Sequence, residues 1–143
     1  MILVTGGAGF IGSNFVLDWI ASETGSVVNL DKLTYAGNMN NIVSQQGNAR
    51  HVFVQGDIGD RVFVQQLITT NRPRTVVNFA AESHVDRSIH APGDFIQTNV
   101  VGTFNLLEEV RAYWSTLAGA EEAAFRFLHV STDEVYGSLS AQD

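Results

Sequence analysis

The 143-residue sequence contains no cysteine, so it offers neither a disulfide framework nor a thiolate metal site. It has a single lysine, Lys32, and 8 basic residues against 15 acidic ones, for a formal net charge of -7. So acidic a chain lacks the basic face that nonspecific binding to nucleic acid requires, and no nucleic-acid partner is expected. An anionic nucleotide can still bind where backbone N–H groups and a few local cations do the work. No run of about 18 apolar residues occurs, so no membrane-spanning helix is expected. No targeting segment is visible, because Met1 is followed at once by the apolar run Ile2-Leu3-Val4. The cytoplasm is therefore the expected location. There is no internal repeat and no low-complexity tract.

What is present suits one packed domain: 45% of the residues are hydrophobic. Short apolar runs at Ile2–Thr5, Val27–Leu30, Val52–Val54, Val76–Phe79 and Phe127–Val130 read as strands. Their unbroken apolar character fits a parallel sheet covered on both faces. Between them, Ile11–Ser22 and Arg61–Asn71 carry apolar residues at helical spacing. A longer helix is predicted from about Phe95 to about Leu117, entered through Ala91-Pro92-Gly93-Asp94 and carrying Val100, Phe104, Leu107, Val110, Trp114 and Leu117. Tyr35–Asn48 reads as a loop with a short helix. This alternation predicts an α/β fold: a Rossmann-like, doubly wound parallel sheet in three αβα layers with right-handed crossovers.

Directly after the first strand comes Thr5-Gly6-Gly7-Ala8-Gly9-Phe10-Ile11-Gly12. It fits G-x-G-x-x-G from Gly7 and a second spacing through Gly6, Gly9 and Gly12; spacing does not choose between them. Either way, glycine allows a tight turn and close backbone approach, and the following helix points N–H groups at a pyrophosphate. A strand before, an amphipathic helix after and an acid at the end of the next strand supply the context that a bare glycine pattern lacks. That acid is Asp31, nineteen residues beyond Gly12. Its carboxylate can accept from an adenosine ribose and would repel a 2′-phosphate, which favours NAD over NADP; Lys32 beside it works against that preference.

Asp57 follows the third strand, where it could meet an adenine amine; alternatively, Asp57 or Asp60 is the N-cap of the next helix. Ser131-Thr132-Asp133-Glu134 follows the fifth strand, at the sheet end where ligands sit. Two adjacent carboxyls there suit acid and base roles, provided their environments differ. The competing reading is a capping box, Ser131 as N-cap and Glu134 at N3. His84 has no second ligand at suitable spacing, which argues against a metal. Asp86 and Arg87 read as a surface pair, and Asn99 as a polar helical residue that either binds backbone or water or has no role.

Taken together, Asp31–Asn38, Ala80–Ser88, Thr98–Thr103 and Ser131–Gly137 resemble the dTDP-glucose 4,6-dehydratase family of the extended short-chain dehydrogenase/reductases, over essentially the whole chain. Thr132-Asp133-Glu134 is the most specific piece. The resemblance implies NAD as cofactor, held by Gly6, Gly9, Phe10, Ile11 and Gly12 at the pyrophosphate. Asp31, Lys32, Leu33 and Thr34 would line the adenosine half, and Asp57 and Ile58 the adenine. Phe79, Ala80, Ala81, Glu82 and Ser83 would run beneath the cofactor with Thr98 nearby. Ser83 and Thr132 would touch a nucleotide-sugar substrate. Asp133 would be the acid and Glu134 the base in a dehydration that yields a 4-keto-6-deoxy sugar for deoxysugar (rhamnose-type) biosynthesis. A related epimerase or reductase, or a non-catalytic dinucleotide-binding module, are the alternatives.

The Tyr-x-x-x-Lys pair that this superfamily uses to take the C4 hydroxyl proton is not in the sequence: Tyr35, Tyr113 and Tyr136 are followed four residues later by Met39, Leu117 and Ser140. The expectation is therefore an incomplete NAD-binding domain over 1–143, the N-terminal part of a longer enzyme stopping before its C-terminal substrate lobe and inactive alone. The long helix is apolar over more than one stripe, so one face suits the sheet and the other a partner helix. The resemblance implies pairing through this region and hence a homodimer of the complete protein, with a monomer as the alternative.

Overall fold

The computed structural model describes residues 1–137, apart from the side chains of Val85, Arg87 and Glu134. Five parallel strands form one sheet: β1 (Ile2–Thr5), β2 (Val27–Asp31), β3 (His51–Gln55), β4 (Thr75–Asn78) and β5 (Arg126–His129), in the order β3-β2-β1-β4-β5. The register runs Ile2 with Val27 and Thr75, Val27 with His51, and Thr75 with Arg126. The order reverses at β1, whose neighbours are β2 and β4. The crevice of an open α/β sheet forms at such a reversal.

Alternation along β1 sorts the core into two layers. Leu3 points to one face and packs with Val28, Leu30 and Val76 beneath α2 (Arg61–Asn71) and the later helix α5 (Thr103–Trp114), which contribute Val64, Ile68, Leu106 and Val110. Ile2 and Val4 point the other way and pack with Val27 against Val16 and Ile20 of α1 (Phe10–Ser22). Ile2, Leu3 and Val4 are at most 1% exposed. Each such side chain contributes about 1.5–3 kcal/mol of apolar burial, so the strand that carries the glycine turn is the best-anchored element of the sheet. Arg61 of α2 pairs with the buried Glu109 of α5 at 2.7 Å and ties the two helices together.

Two predictions need correcting. The expected continuous helix from Phe95 to Leu117 begins earlier and is interrupted: α4 (Pro92–Phe95) leads into a π-helical stretch, Ile96–Gly102, before α5. Gly102 is buried in the wide turn, where an added Cβ would stand 3.1 Å from Ile58 Cγ1. In addition, α3 (Val85–His90) and α6 (Gly119–Ala124) were not anticipated, since a six-residue segment is too short for an apolar repeat to establish a helical period. Tyr35–Asn48 contains the expected short helix, a 3-10 helix over Met39–Gln45.

Candidate functional site

Parallel strands deliver all their following loops to one end. Across that mouth stand, in order, the loops after β3 and β2, the glycine turn after β1, Phe79–Ser83 after β4, and Ser131–Asp133 after β5.

The glycine turn is held from several sides. Gly6 has φ +70, and an added Cβ would lie 2.6 Å from the Ala80 N, so β1's turn is pressed against the end of β4. At Gly7 the Cβ would meet Asn29 Oδ1 at 2.1 Å, and at Gly12 it would meet the Gly6 O at 2.3 Å. These three glycines are thus required by packing within the protein itself. At Gly9 no atom lies within 3.0 Å of the Cβ position. Gly9 is also the N-cap of α1, which has neither a side-chain cap nor an acidic residue in its first turn. Phe10 and Ile11, next in line, are 82% and 63% exposed. The helix therefore opens onto the mouth with backbone donors that no side chain caps.

Asp31 is 8% exposed, and both its oxygens are engaged: Oδ2 accepts from the Ala8 amide at 2.9 Å and Oδ1 from the Leu33 amide at 2.8 Å. Leu33 adopts φ +56 to close this turn, and Gly37 lies against the carboxylate. Sequence reading placed Asp31 on a ribose. Its first role in the fold is to staple the glycine turn to the end of β2, leaving each oxygen one further lone pair. On the far side of the turn, the Ala8 carbonyl accepts from the Asn38 amide at 3.0 Å and from Asn41 Nδ2 at 2.9 Å. Asn41 was missed because nothing local in the sequence links it to Ala8.

The hydrogen bonds decide which aspartate caps α2. Asp60 caps α2 by accepting from the Phe63 amide at 3.0 Å. Asp57 accepts from the Gly59 amide at 2.8 Å and pairs with Lys32 Nζ at 2.7 Å. Burial alone would raise the Asp57 carboxyl, but the hydrogen bond from Lys32, the Gly59 amide and the lysine charge outweigh it, and its pKa is lowered. The Ile58 side chain is 4% exposed and belongs to the core, so only its backbone faces the loop. Thr34 is exposed beyond this turn.

After β4, the Phe79 ring packs on Phe15 at 5.3 Å, and its amide donates to the Thr5 O at 3.0 Å. Ala80 stands against Gly6, and Ala81 and Ser83 are exposed. Glu82 is held by Asn99 in the π-helical stretch, which accepts from the Glu82 amide and donates to the Glu82 carbonyl, both at 2.8 Å. Of the open readings for Asn99, backbone binding is the one observed. Thr98, its neighbour, is half-buried. His84 and Tyr35 make a ring contact at 5.3 Å that links the loops after β4 and β2. Below the mouth, Thr5, Asn78 and His129 form a polar row across β1, β4 and β5: Thr5 bonds Asn78, and Asn78 Nδ2 meets His129 Nδ1 at 3.0 Å.

After β5, Thr132 Oγ1 donates to Asp133 Oδ1 at 3.2 Å, and both residues are exposed. A 3-10 turn covers Asp133–Tyr136, with the Val135 amide 3.4 Å from the Thr132 O. The turn begins at Asp133 and is not the α-helix that a Ser131–Glu134 capping box would start. Glu134 sits in this turn, and its side chain lies outside the described atoms. Among the described residues, no group of three or more histidine, aspartate or glutamate side chains is placed to hold a metal. No helix among them is long and apolar enough to cross a membrane. A cavity of about 280 Å³ lined by Arg72, Arg74, Tyr113 and Glu121 lies at the opposite end of the strands and takes no part in this mouth.

A wholly parallel sheet in this order, with a glycine turn at its first crossing and polar loops gathered over its carboxyl end, places the chain in the Rossmann-like, doubly wound class. Comparison narrows the class. The chain belongs to the GDP-mannose 4,6 dehydratase family, which it matches over residues 3–143. It is 65% identical over 137 residues to a dTDP-glucose 4,6-dehydratase of Xanthomonas campestris pv. campestris strain B100, covering 96% of this chain and 39% of the relative. Among solved structures, a dTDP-glucose 4,6-dehydratase from Streptomyces venezuelae with NAD bound matches with a TM-score of 0.85 and 43% identity, covering 98% of this chain and 42% of that one. A UDP-glucose 4-epimerase from Brucella ovis in complex with NAD matches at 0.77 and 29%, covering 97% and 38%. The chain thus spans about two fifths of the length of the proteins it matches.

Proposed function

We propose that these residues form the cofactor-binding part of an NAD-dependent dTDP-glucose 4,6-dehydratase, a hydro-lyase. The observation that carries this reading is the convergence, at one mouth, of the uncapped start of α1 and the Thr132-Asp133-Glu134 turn, with the Phe79–Ser83 loop between them. The residues fit the cofactor: the α1 amides are free of side-chain caps where an anionic pyrophosphate would lie. Gly6, Gly9, Phe10, Ile11 and Gly12 would hold the phosphates. Asp31, Lys32, Leu33, Thr34, Asp57 and Ile58 would border the adenosine, and Phe79 to Ser83 with Thr98 would support the rest.

The chemistry supplied by bound NAD is hydride acceptance from C4 of the sugar and hydride return to C6. The chain's own residues move the protons. Once C4 is a ketone, the C5 proton is acidic and Glu134 takes it. Asp133 protonates the departing C6 hydroxyl, and water is lost. Glu134 then gives a proton back to C5 as C6 is reduced, which completes the 4-keto-6-deoxy sugar. Thr132 and Ser83 position the sugar; Thr132 also orients Asp133 through their hydrogen bond. The greater identity to dehydratases than to the epimerase supports elimination over epimerisation. The absence of Tyr-x-x-x-Lys from these 143 residues supports a narrower statement as well: alone, they do not turn over. Val100, Phe104, Leu107 and Trp114 are 57, 57, 42 and 41% exposed along one helical run, which supports a homodimer in the complete enzyme.

The test is a chimera in which residues 1–143 replace the matching segment of the Xanthomonas campestris relative. It should carry NAD and convert dTDP-glucose to the 4-keto-6-deoxy product. A folded chimera that holds NAD but forms no ketone would refute the dehydratase reading.

A further inference from the structure

Asp31 is nearly buried and engaged by the Ala8 and Leu33 amides, with one lone pair left on each oxygen for a ribose, and it is not the only charged group at this strand end. Next to it stands Lys32, the one lysine of the chain, at the end of the strand where a cation is the usual partner of a 2′-phosphate. Left free, that ammonium on its flexible stem would draw the phosphorylated cofactor and oppose Asp31.

It is not left free. Lys32 Nζ lies 2.7 Å from Asp57 Oδ2 across the ends of β2 and β3, and Asp57 is itself fixed through its other oxygen by the Gly59 amide. Asp57 is not needed as a cap, since Asp60 performs that task. We infer that Asp57 is a specificity-determining residue: by engaging Lys32 it withholds the ammonium from a 2′-phosphate and keeps the site selective for NAD over NADP. The inference rests on the dinucleotide reading above and adds a second acid, on a different strand, to the discrimination. Burial would raise the Asp57 carboxyl, yet the lysine and the amide hold it ionised, which keeps the pair intact at neutral pH.

The experiment is a double-mutant cycle read as dissociation constants for NAD and NADP by calorimetry at fixed ionic strength. Asp57→Asn removes the charge while its side-chain oxygen can still accept from Gly59, so the turn is preserved. The ratio of NADP to NAD dissociation constants should fall about tenfold in Asp57→Asn, the scale of one charge-assisted contact. The fall should vanish when Lys32→Met is added and persist when Lys32→Arg is added instead. It should also shrink as salt is raised. A wild-type chain that binds neither dinucleotide removes the underlying reading and this inference with it. A wild type that binds NAD, with the ratio unmoved by Asp57→Asn or moved equally in the Lys32→Met background, overturns only the role of Asp57.

Discussion

Asn99 closes a two-point hydrogen bond on the backbone of Glu82, accepting from its N–H and donating to its C=O at 2.8 Å each. One side-chain amide thereby completes the loop after β4, which has no strand partner there. The π-helical turn at Ile96–Gly102 sets Asn99 where it can do this. Asn99→Ala hands both exposed backbone groups to water and should cost about 1–2 kcal/mol, read as a lower denaturation midpoint and faster hydrogen exchange at the Glu82 amide. Asn99→Asp, which can accept but not donate, should be little better. Unchanged exchange at Glu82 would show that the clamp contributes nothing.

Asp31 is a structural anchor as well as a candidate ribose ligand. Asp31→Ala should destabilise the fold by about 2–4 kcal/mol, because two charge-assisted bonds to backbone amides are lost, one buried and one partly buried, and should weaken NAD by releasing the glycine turn. Denaturation and calorimetry on the same variant separate the two effects. Full stability with weakened NAD would confine Asp31 to the ligand.

The glycines differ in what they tolerate. Gly6→Ala combines φ +70 with a Cβ 2.6 Å from backbone and should cost more than about 3 kcal/mol. Gly93→Ala, in α4 with nothing within 4 Å, should change stability by less than about 1 kcal/mol. Chemical denaturation of the pair checks the ranking.

Acid should act in two stages. Burial holds the His51 imidazole below the ordinary histidine value. The unfolded chain therefore takes up its proton first, and stability that is complete above about pH 6.5 is lost as pH falls through the folded-state value. Asp57, lowered despite its burial by Lys32 and the Gly59 amide, contributes stability above the ordinary carboxylate range that is lost only at more acidic pH. Denaturation midpoints across this range should show both declines, and His51→Gln should flatten the first alone. An ordinary His51 titration in the folded chain, followed by NMR, would remove that stage.

In the chimera, Glu134→Gln should leave C4 oxidation intact and slow exchange of the sugar's C5 hydrogen with solvent by about a hundredfold or more. Solvent deuterium incorporation measures it, and unchanged exchange would exclude Glu134 as the base. The 143 residues alone should show no turnover, for want of Tyr-x-x-x-Lys.

The inner strands β1, β2 and β4 were legible because parallel strands buried on both faces read as unbroken apolar runs, as Ile2–Val4 and Val27–Val28 do; the outer strands β3 and β5 also read as apolar runs, although Val52 and Leu128 are exposed at the sheet edges. The long helix was legible in its apolar spacing but not in its π turn, because Val100 and Phe104 keep the ordinary four-residue interval through the interruption. Asp57 and Asp60 both stood at plausible capping positions, and only the hydrogen bonds separate them. The glycine pattern was visible, yet its cause at Gly6, Gly7 and Gly12 is contact with Ala80, Asn29 and the turn itself, partners remote in sequence or created by folding. Asn41 and the Tyr35–His84 contact likewise depend on loops brought together by strand order.

Because Asp60 caps α2 with its own side chain, the helix start does not depend on the charge at position 57. A descendant lineage that exchanged Asp57 for asparagine would keep the bond from the Gly59 amide and, on the inference above, would gain affinity for the phosphorylated coenzyme.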